Sequence, residues 1–318
     1  MSGYAPPGFN QARFGQARIG IDLGGSKIEI AAMLPDGSLA GRRRIPTPAL
    51  YDDAVRDMAN LVRETEAMLG VVGTLGVGIP GTIDPETGLV HNPTRNPLNG
   101  HPFDRDLGQA LGRLVRVEND ANCFALSEAR DGAGAGGRLV FGGILGTGCG
   151  AGIVIDHRII EGRHRIAGEW GHTPLPWPRL DEVPGPSCWC GRNGCLEQWI
   201  SGTALARDCD GPGARDARGI PARAEAGDEV ALAALARHAD RVARGLGVIV
   251  TLLDPDVIVL GGGASNMPHL YAEVPRLLGK YAFGGKADTP IRQAAHGDSS
   301  GVRGAAWLWG EDAPELVR

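Results

Sequence analysis

The 318-residue chain lacks an apolar run long enough to cross a bilayer; the best candidate, Gly245 to Leu253, is stopped by Asp254, Pro255 and Asp256. A basic excess is also missing. The net charge of −5 offers nothing to recruit nucleic acid or an anionic membrane surface. Residues 1–17 hold Pro, Gly, Gln and Arg without an apolar signal core and are expected to form a flexible leader. The six cysteines do not space as a disulfide frame, and three of them crowd between Cys188 and Cys195. That usage suits a reduced compartment, so a cytoplasmic protein with a metal site is expected. The G-x-x-x-x-G-K spacing of helix-type nucleotide loops is absent too. What remains is a globular protein with small polar partners.

Apolar residues make up 42% of the chain, and its 50 glycines fall in short clusters after apolar runs. Arg18–Leu23 alternates as a strand, Gly24–Gly25 breaks it, and Lys27–Leu34 resumes it. Ser38–Ile45 continues as a strand, Tyr51–Leu69 has helical spacing, and Gly73–Ile79 is a strand closed by Pro80–Gly81. Asp104–Leu111 and Asn119–Ala129 read as helices flanking a strand at Leu114–Val117, followed by a glycine-rich linker from Arg130 to Gly137. Leu139–Leu145 and Ala151–Ile155 flank a second glycine corner, Gly146–Thr147–Gly148–Cys149–Gly150. Two such hairpins, each opening a half of the chain, suggest duplicated lobes. Asp228 can cap a helix running to about Leu253, Asp256–Leu260 is a buried strand, and helices at Pro268–Lys280 and Gly301–Trp309 close the chain. The alternation makes the class α/β.

Strand–glycine–strand corners expose consecutive N–H groups with no Cβ to hold an anion away. Asp22, Gly24, Gly25, Ser26 and Lys27 form one cradle; Gly146, Thr147, Gly148 and Gly150 form another; Gly261, Gly262 and Gly263 open a third close-approach site after a buried strand. Taken alone, Gly24–Gly25 could be only a hairpin turn. Three corners together point to a nucleotide, its phosphates gripped from two sides and adenosine seated on the triple glycine. Asp22, at a strand end, can reach a water bound to Mg²⁺. Cys149 reads as small-residue filling of a tight turn.

Cys188-x-Cys190-x₄-Cys195 with His172 upstream offers three thiolates and an imidazole, a closed set that would hold structural Zn²⁺. By spacing alone, three unligated thiols are an equal alternative. Asn119, Asp120, Glu169, His172 and Glu197 are polar groups able to donate to or accept from a small ligand, a role that residue type alone does not assign. Asn119 could equally cap the helix that follows it, and Glu197 could lie on a solvated helix face.

From Arg18 to Trp309 these segments resemble the ROK family of sugar kinases and repressors, within the two-lobed actin-like ATPase (ribonuclease H-like) fold. The resemblance rests on Ile21–Lys27, Gly78–Gly81, Glu118–Asn122, Leu145–Gly150, Gly168–His172 and Cys188–Glu197. It implies ATP and Mg²⁺ as cofactors, structural Zn²⁺ on His172, Cys188, Cys190 and Cys195, and a homodimer. It further implies a hexose pocket lined by Gly81, Asn99, Asn119, Asp120, Glu169, His172 and Glu197, with Asp120 as base. The implied layout is a small lobe at 18–135, with a C-terminal helix at about 301–318 packing back on it, and a large lobe at 136–300 with the zinc-containing loop. Leu98–Phe103, Pro174–Trp177 and His296–Gly301 are most similar to bacterial fructokinases of the manno-fructokinase type. Fructose is therefore the expected sugar, with the bulk of Trp170 and Trp177 excluding an acetamido group; mannose, glucose and N-acetylglucosamine are the alternatives. Relatives acting on N-acetylglucosamine carry an asparagine near Thr94, and of Asn92, Asn96 and Asn99 the sugar contact is assigned here to Asn99. A repressor of the same family would need a helix-turn-helix unit, for which 17 leading residues are too few. Loss of Cys190 is expected to remove metal and sugar affinity while ATP binding persists, and sugar binding to rotate the lobes together.

Overall fold

A computed structural model describes residues 17–92, 96–285 and 287–310. They divide into two units. The first gathers the described residues up to 127 with 161–166 and those from 299 onward; the second holds 128–160 and 167–298. The division thus falls before the glycine-rich stretch Arg130–Gly137 rather than inside it, because the buried Glu128 carboxylate accepts from the N–H groups of Ala133, Ala295 and His296.

The first unit is built from β1 (Arg18–Leu23), β2 (Lys27–Met33), β3 (Leu39–Pro46), α1 (Tyr51–Leu69), β4 (Thr74–Ile79), β5 (Thr82–Ile83), β6 (Val90–His91), α2 (Phe103–Leu111), β7 (Arg116–Asn119) and the start of α3 (Asp120–Asp131). Its sheet runs β3-β2-β1-β4-β7, antiparallel through the first three strands and parallel beyond β1. β4 is buried along its whole length and β1 nearly so, which is why they read as continuous apolar runs. α1 buries Ala54, Met58, Leu61 and Val62 against this unit's core. A C-terminal helix, Ser300–Trp307, packs on β1 and β4. Glycine makes that approach possible: a Cβ on Gly20 would sit 1.9 Å from the Val302 carbonyl oxygen, and one on Gly76 1.8 Å from that of Ala305. The remainder of the expected 301–318 helix, from 311 on, lies outside the described residues, as does the 1–16 part of the expected leader.

The second unit holds β8 (Leu139–Leu145), β9 (Cys149–Ile155), β10 (Arg158–Ile159), α4 (Glu197–Ile200), α5 (Gly202–Asp210), α6 (Ile220–Glu225), α7 (Glu229–Leu253), β11 (Val257–Gly261), α8 (His269–Tyr281) and β12 (Ile291–Gln293). Its sheet order, β10-β9-β8-β11-β12, repeats the third-second-first-fourth-fifth order of the first unit, with the same switch from antiparallel to parallel. The Asp228 carboxylate caps α7 by accepting from Val230 N at 2.9 Å and Ala231 N at 3.2 Å. The α/β class is thus present in both units. α4 to α6 and β12 escaped the sequence reading because each is too short to show a period.

Candidate active site

In the first unit β1 and β2 meet at Gly24–Gly25–Ser26. The Gly24 N–H donates to the Lys27 carbonyl at 2.8 Å, and the Thr47 hydroxyl donates to the Gly24 carbonyl at 2.8 Å. The N–H groups of Gly25 and Ser26 find no acceptor among the described residues, and Gly25, Ser26 and Lys27 are exposed. A solvent-facing pair of donors beside a lysine is able to take an anion. Half-buried Asp22 stands directly across the strands from Glu29, itself buried and ion-paired with Arg42 and Arg44. Burial, with Glu29 adding to it against Lys27 and Arg44, pushes the Asp22 carboxyl up to about 6. A carboxylate held at that cost beside phosphate donors fits a cation-water contact.

Asp120 opens α3, where the N-terminal partial charge favours a carboxylate. Its Oδ1 accepts from Ala121 N at 2.8 Å. Asn119 caps the same helix, its Oδ1 accepting from Ala121 N at 2.9 Å and Asn122 N at 3.3 Å, while its Nδ2 donates to the Gly81 carbonyl at 3.1 Å. Glu118, not singled out as a site residue from sequence, is buried behind them; its Oε1 accepts from Asn119 N at 2.7 Å and Asn122 Nδ2 at 3.0 Å. Burial raises its carboxyl, partly opposed by those bonds. Exposed Asn99 uses its Oδ1 to accept from Asn92 N at 2.9 Å, and Asn92 is buried with its Nδ2 on the Pro80 carbonyl. Thr94 lies outside the described residues.

In the second unit β8 and β9 meet at Gly146–Thr147–Gly148. Gly146 N donates to the Gly148 carbonyl at 2.9 Å, and Gly202 N donates to the Gly146 carbonyl at 2.7 Å. Thr147 is exposed, and among the described residues nothing accepts from its N–H or that of Gly148. Gly150 lies in β9, its carbonyl accepting from the Trp170 indole at 3.0 Å. Gly261 ends β11, and Gly262 turns with φ +83°; a Cβ there would sit 2.6 Å from the Leu145 carbonyl oxygen. Exposed Gly262 therefore lies against the base of this glycine corner, and exposed Gly263 follows it in the open. Cys149 is buried, its thiol pushed well up by burial and the nearby Glu197 and Glu169, which makes it inert packing.

The side-chain ligand atoms of His172, Cys188, Cys190 and Cys195 all lie within 4.8 Å of one another. Cys190 Sγ is 3.5 Å from Cys195 Sγ, and Cys188 Sγ is 3.6 Å from His172 Nδ1. Tetrahedral Zn²⁺ with bonds of about 2.0–2.3 Å sets its ligands roughly 3.5–3.8 Å apart, the spacing of these two pairs. All four donors are protein atoms, so a metal held there would have no open position and would be structural. His172 Nδ1 faces the thiols, while Nε2 has no partner among the described residues. The carboxyl of Glu169, on a side chain exposed overall, is raised by local burial and Glu197, against His172. Glu197 is not on a solvated face: it is buried, with Oε2 accepting from Cys149 N and Oε1 from Trp189 Nε1, both at 2.9 Å. Trp189, between two of the cysteines, was missed by sequence reasoning although its place inside C-x-C put it beside the cluster.

The segments behind the fructose expectation serve packing. His101 stacks on Tyr51 with ring centroids 3.7 Å apart, exposed Trp177 stacks on Tyr281 at 5.7 Å, and His296 Nε2 pairs with Asp131 at 2.9 Å. Trp170 is buried edge-on to Phe141. Its bulk fills the second unit's core.

A family model described as the ROK family matches residues 18–312. An N-acetyl-D-glucosamine kinase of Pectobacterium atrosepticum is 40% identical, over 91% of this chain and 97% of that relative. One of Haemophilus influenzae is 39% identical over 91% and 98%. A ROK hexokinase structure from Thermus thermophilus superposes with a TM-score of 0.81 at 33% identity, covering 91% of this chain and 96% of that one.

Proposed function

Because this chain belongs to the ROK family, we propose that it is an ATP-dependent sugar kinase whose substrate is N-acetyl-D-glucosamine. One observation carries the choice of sugar: the Pectobacterium and Haemophilus relatives, matched over nine-tenths of the chain, are both kinases of that sugar. The packing roles of His101, Trp177 and His296 leave the fructose reading without geometric support.

In this reading a sugar hydroxyl attacks the γ-phosphorus in line, the bond to the ADP oxygen breaks, and the hydroxyl proton passes to Asp120. Phosphoryl transfer has a loose transition state, so aiming the hydroxyl matters more than a strong base. Asn119, fixed at both ends, and Asp120 on the first turn of α3 supply that aim. In the first unit the N–H groups of Gly25 and Ser26 are offered to phosphate oxygens; in the second those of Thr147 and Gly148 are, with Gly262–Gly263 offered to the nucleoside. Bound Mg²⁺ would screen phosphate charge, with Asp22 accepting from a water on it. Glu169 and His172 Nε2 hold sugar hydroxyls. His172 Nδ1, Cys188, Cys190 and Cys195 would hold Zn²⁺, which fixes the loop carrying them.

ADP release measured across N-acetylglucosamine, N-acetylmannosamine, glucose, mannose and fructose tests the proposal. N-acetylglucosamine is expected to exceed fructose in kcat/KM by about a hundredfold or more. Equal or faster turnover of fructose overturns the sugar. No turnover of any sugar, with DNA binding by the purified chain, overturns the kinase.

A further inference from the structure

We infer that Glu197 is a positioning residue for the phosphate corner Gly146–Thr147–Gly148, tying it to the Cys/His cluster so that nucleotide affinity depends on what the cluster holds. The inference rests on the kinase reading and extends it.

A carboxylate buried as deeply as Glu197, at 7% exposure, persists only where donors meet its oxygens. Besides a long bond from the adjacent Gln198 Nε2 at 3.5 Å, its donors come from two places. Cys149 N, the first residue of β9, donates to Oε2 at 2.9 Å; Trp189 Nε1, from the cysteine-bearing loop, donates to Oε1 at 2.9 Å, with Cys188 Sγ 4.0 Å from the same oxygen. Trp189 in turn stands edge-on to His172 with centroids 4.5 Å apart. One carboxylate therefore bridges the corner and the cluster.

The corner is fitted to it. A Cβ on Gly148 would lie 2.7 Å from Glu197 Oε2, so a larger residue there would have to push the carboxylate aside. A second tie comes from the same stretch of chain, where Gly202 N donates to the Gly146 carbonyl at 2.7 Å. These bonds fix the inner side of the turn and leave Thr147 N–H and Gly148 N–H without acceptors among the described residues. Oriented donors of this kind bind phosphate well only when the backbone is held in place beforehand. Because Glu197 follows Cys195 and Leu196 directly, freedom in the cluster reaches the corner through its own backbone as well as through Trp189.

The expectation that ATP binding survives loss of the cluster is thereby revised: nucleotide binding should weaken with it, even with no sugar present. Isothermal titration of ADP with Mg²⁺, sugar omitted, tests this on wild type, Glu197→Gln and Trp189→Phe, each before and after chelation, with zinc content and thermal melts recorded. Glu197→Gln should keep its metal and weaken ADP about tenfold, the scale of one charge-assisted hydrogen bond. Chelated wild type should weaken by a similar factor, and chelation of Glu197→Gln should add little, since both act on one linkage. Trp189→Phe, which keeps the charge and removes only the indole N–H, should weaken ADP about threefold and decides the matter if Glu197→Gln or the stripped protein unfolds. Unchanged ADP affinity in the folded variants, or effects of Glu197→Gln and chelation that multiply, overturns the inference. Wild type that binds ADP but no metal overturns the cluster half of it. Wild type that binds no ADP overturns the kinase reading instead.

Discussion

The side-chain amide of Asn119 donates to the Gly81 carbonyl at 3.1 Å, joining the first turn of α3 to the loop that ends β4. Gly81 accepts it from a backbone no other residue adopts easily, with φ +91° and a would-be Cβ 2.5 Å from the His91 carbonyl oxygen. The capping role and the tie to Gly81 separate by mutation. Asn119→Ala should lose the cap and about 1 kcal/mol of stability. Asn119→Asp keeps the cap acceptor but cannot donate to Gly81, so it should melt near wild type yet turn over more slowly. Chemical denaturation beside steady-state kinetics reads the difference; equal turnover in Asn119→Asp and wild type would refute the positioning role.

Asp120→Asn should lower kcat by about a thousandfold or more while both KM values stay within a few-fold, the pattern of a group that acts in the transition state. The amide oxygen can still accept from Ala121 N, so the helix start is preserved. Retention of more than about a tenth of turnover, under roughly 1.4 kcal/mol of barrier, would move the base assignment to Glu169.

The glycine corners were legible because apolar alternation at Arg18–Leu23 and Leu139–Leu145 stops abruptly at glycine, and α7 was legible from the Asp228 cap. Asn119 shows the limit of such reading. Cap and ligand were both open from sequence, and the partner that fixes its other end, Gly81, is distant in the chain. The Glu197–Cys149 bond, spanning 48 positions, leaves no periodic trace at all. The sugar was the least legible part, because segments that set the fructose expectation, such as His101 on Tyr51, make their contacts inside a unit, and the relatives' names favour the N-acetylglucosamine alternative instead.

Elemental analysis should find about one Zn²⁺ per chain. Cys190→Ser, at the half-exposed corner of the cluster, should lose it together with sugar affinity, since His172 would no longer be held with Nε2 free. A metal-free protein with full sugar affinity contradicts the assignment.

Glu182 should govern acid stability in the second unit. It accepts from Arg244 Nη1 at 2.7 Å, Arg241 Nε at 2.9 Å and Arg179 N at 2.9 Å, anchoring its own loop to α7. Burial works against its charge, yet the bonds from Arg244, Arg179 and Arg241 prevail and hold the carboxyl at about 2. A depressed carboxyl contributes stability that is present above about 4.5 and lost as pH falls toward 2. Glu182→Gln should cost about 2 kcal/mol at neutral pH by taking the shared carboxylate from two buried guanidiniums, leaving Arg244 only Asp240 and Arg241 only Asp208 as counter-charges. Urea melts of the variant should show a shallower acid limb; parallel limbs would count against the pair.

Asp22 should act in the opposite sense. Its carboxyl is raised to about 6, chiefly by burial and then by Glu29 across the strand pair. The folded state therefore holds a proton that the unfolded chain releases near 3.8. Stability from this group is complete below about 3.8 and is lost as pH rises through 6, by at most about 3 kcal/mol at 1.36 kcal/mol per pKa unit. Asp22→Asn removes the titration, so between pH 4 and 7 the nucleotide-free wild type should lose stability relative to the variant. The same ionisation has a functional face. The kcat/KM for MgATP reports the free enzyme, and protonated Asp22 cannot accept from a cation-bound water, so this ratio should fall as pH drops below about 6. Asp22→Asn should lower the ratio at neutral pH and flatten that limb. Strained apo stability and nucleotide capture then trace to one carboxylate, and pH profiles for wild type and Asp22→Asn that run parallel in both measurements would separate them.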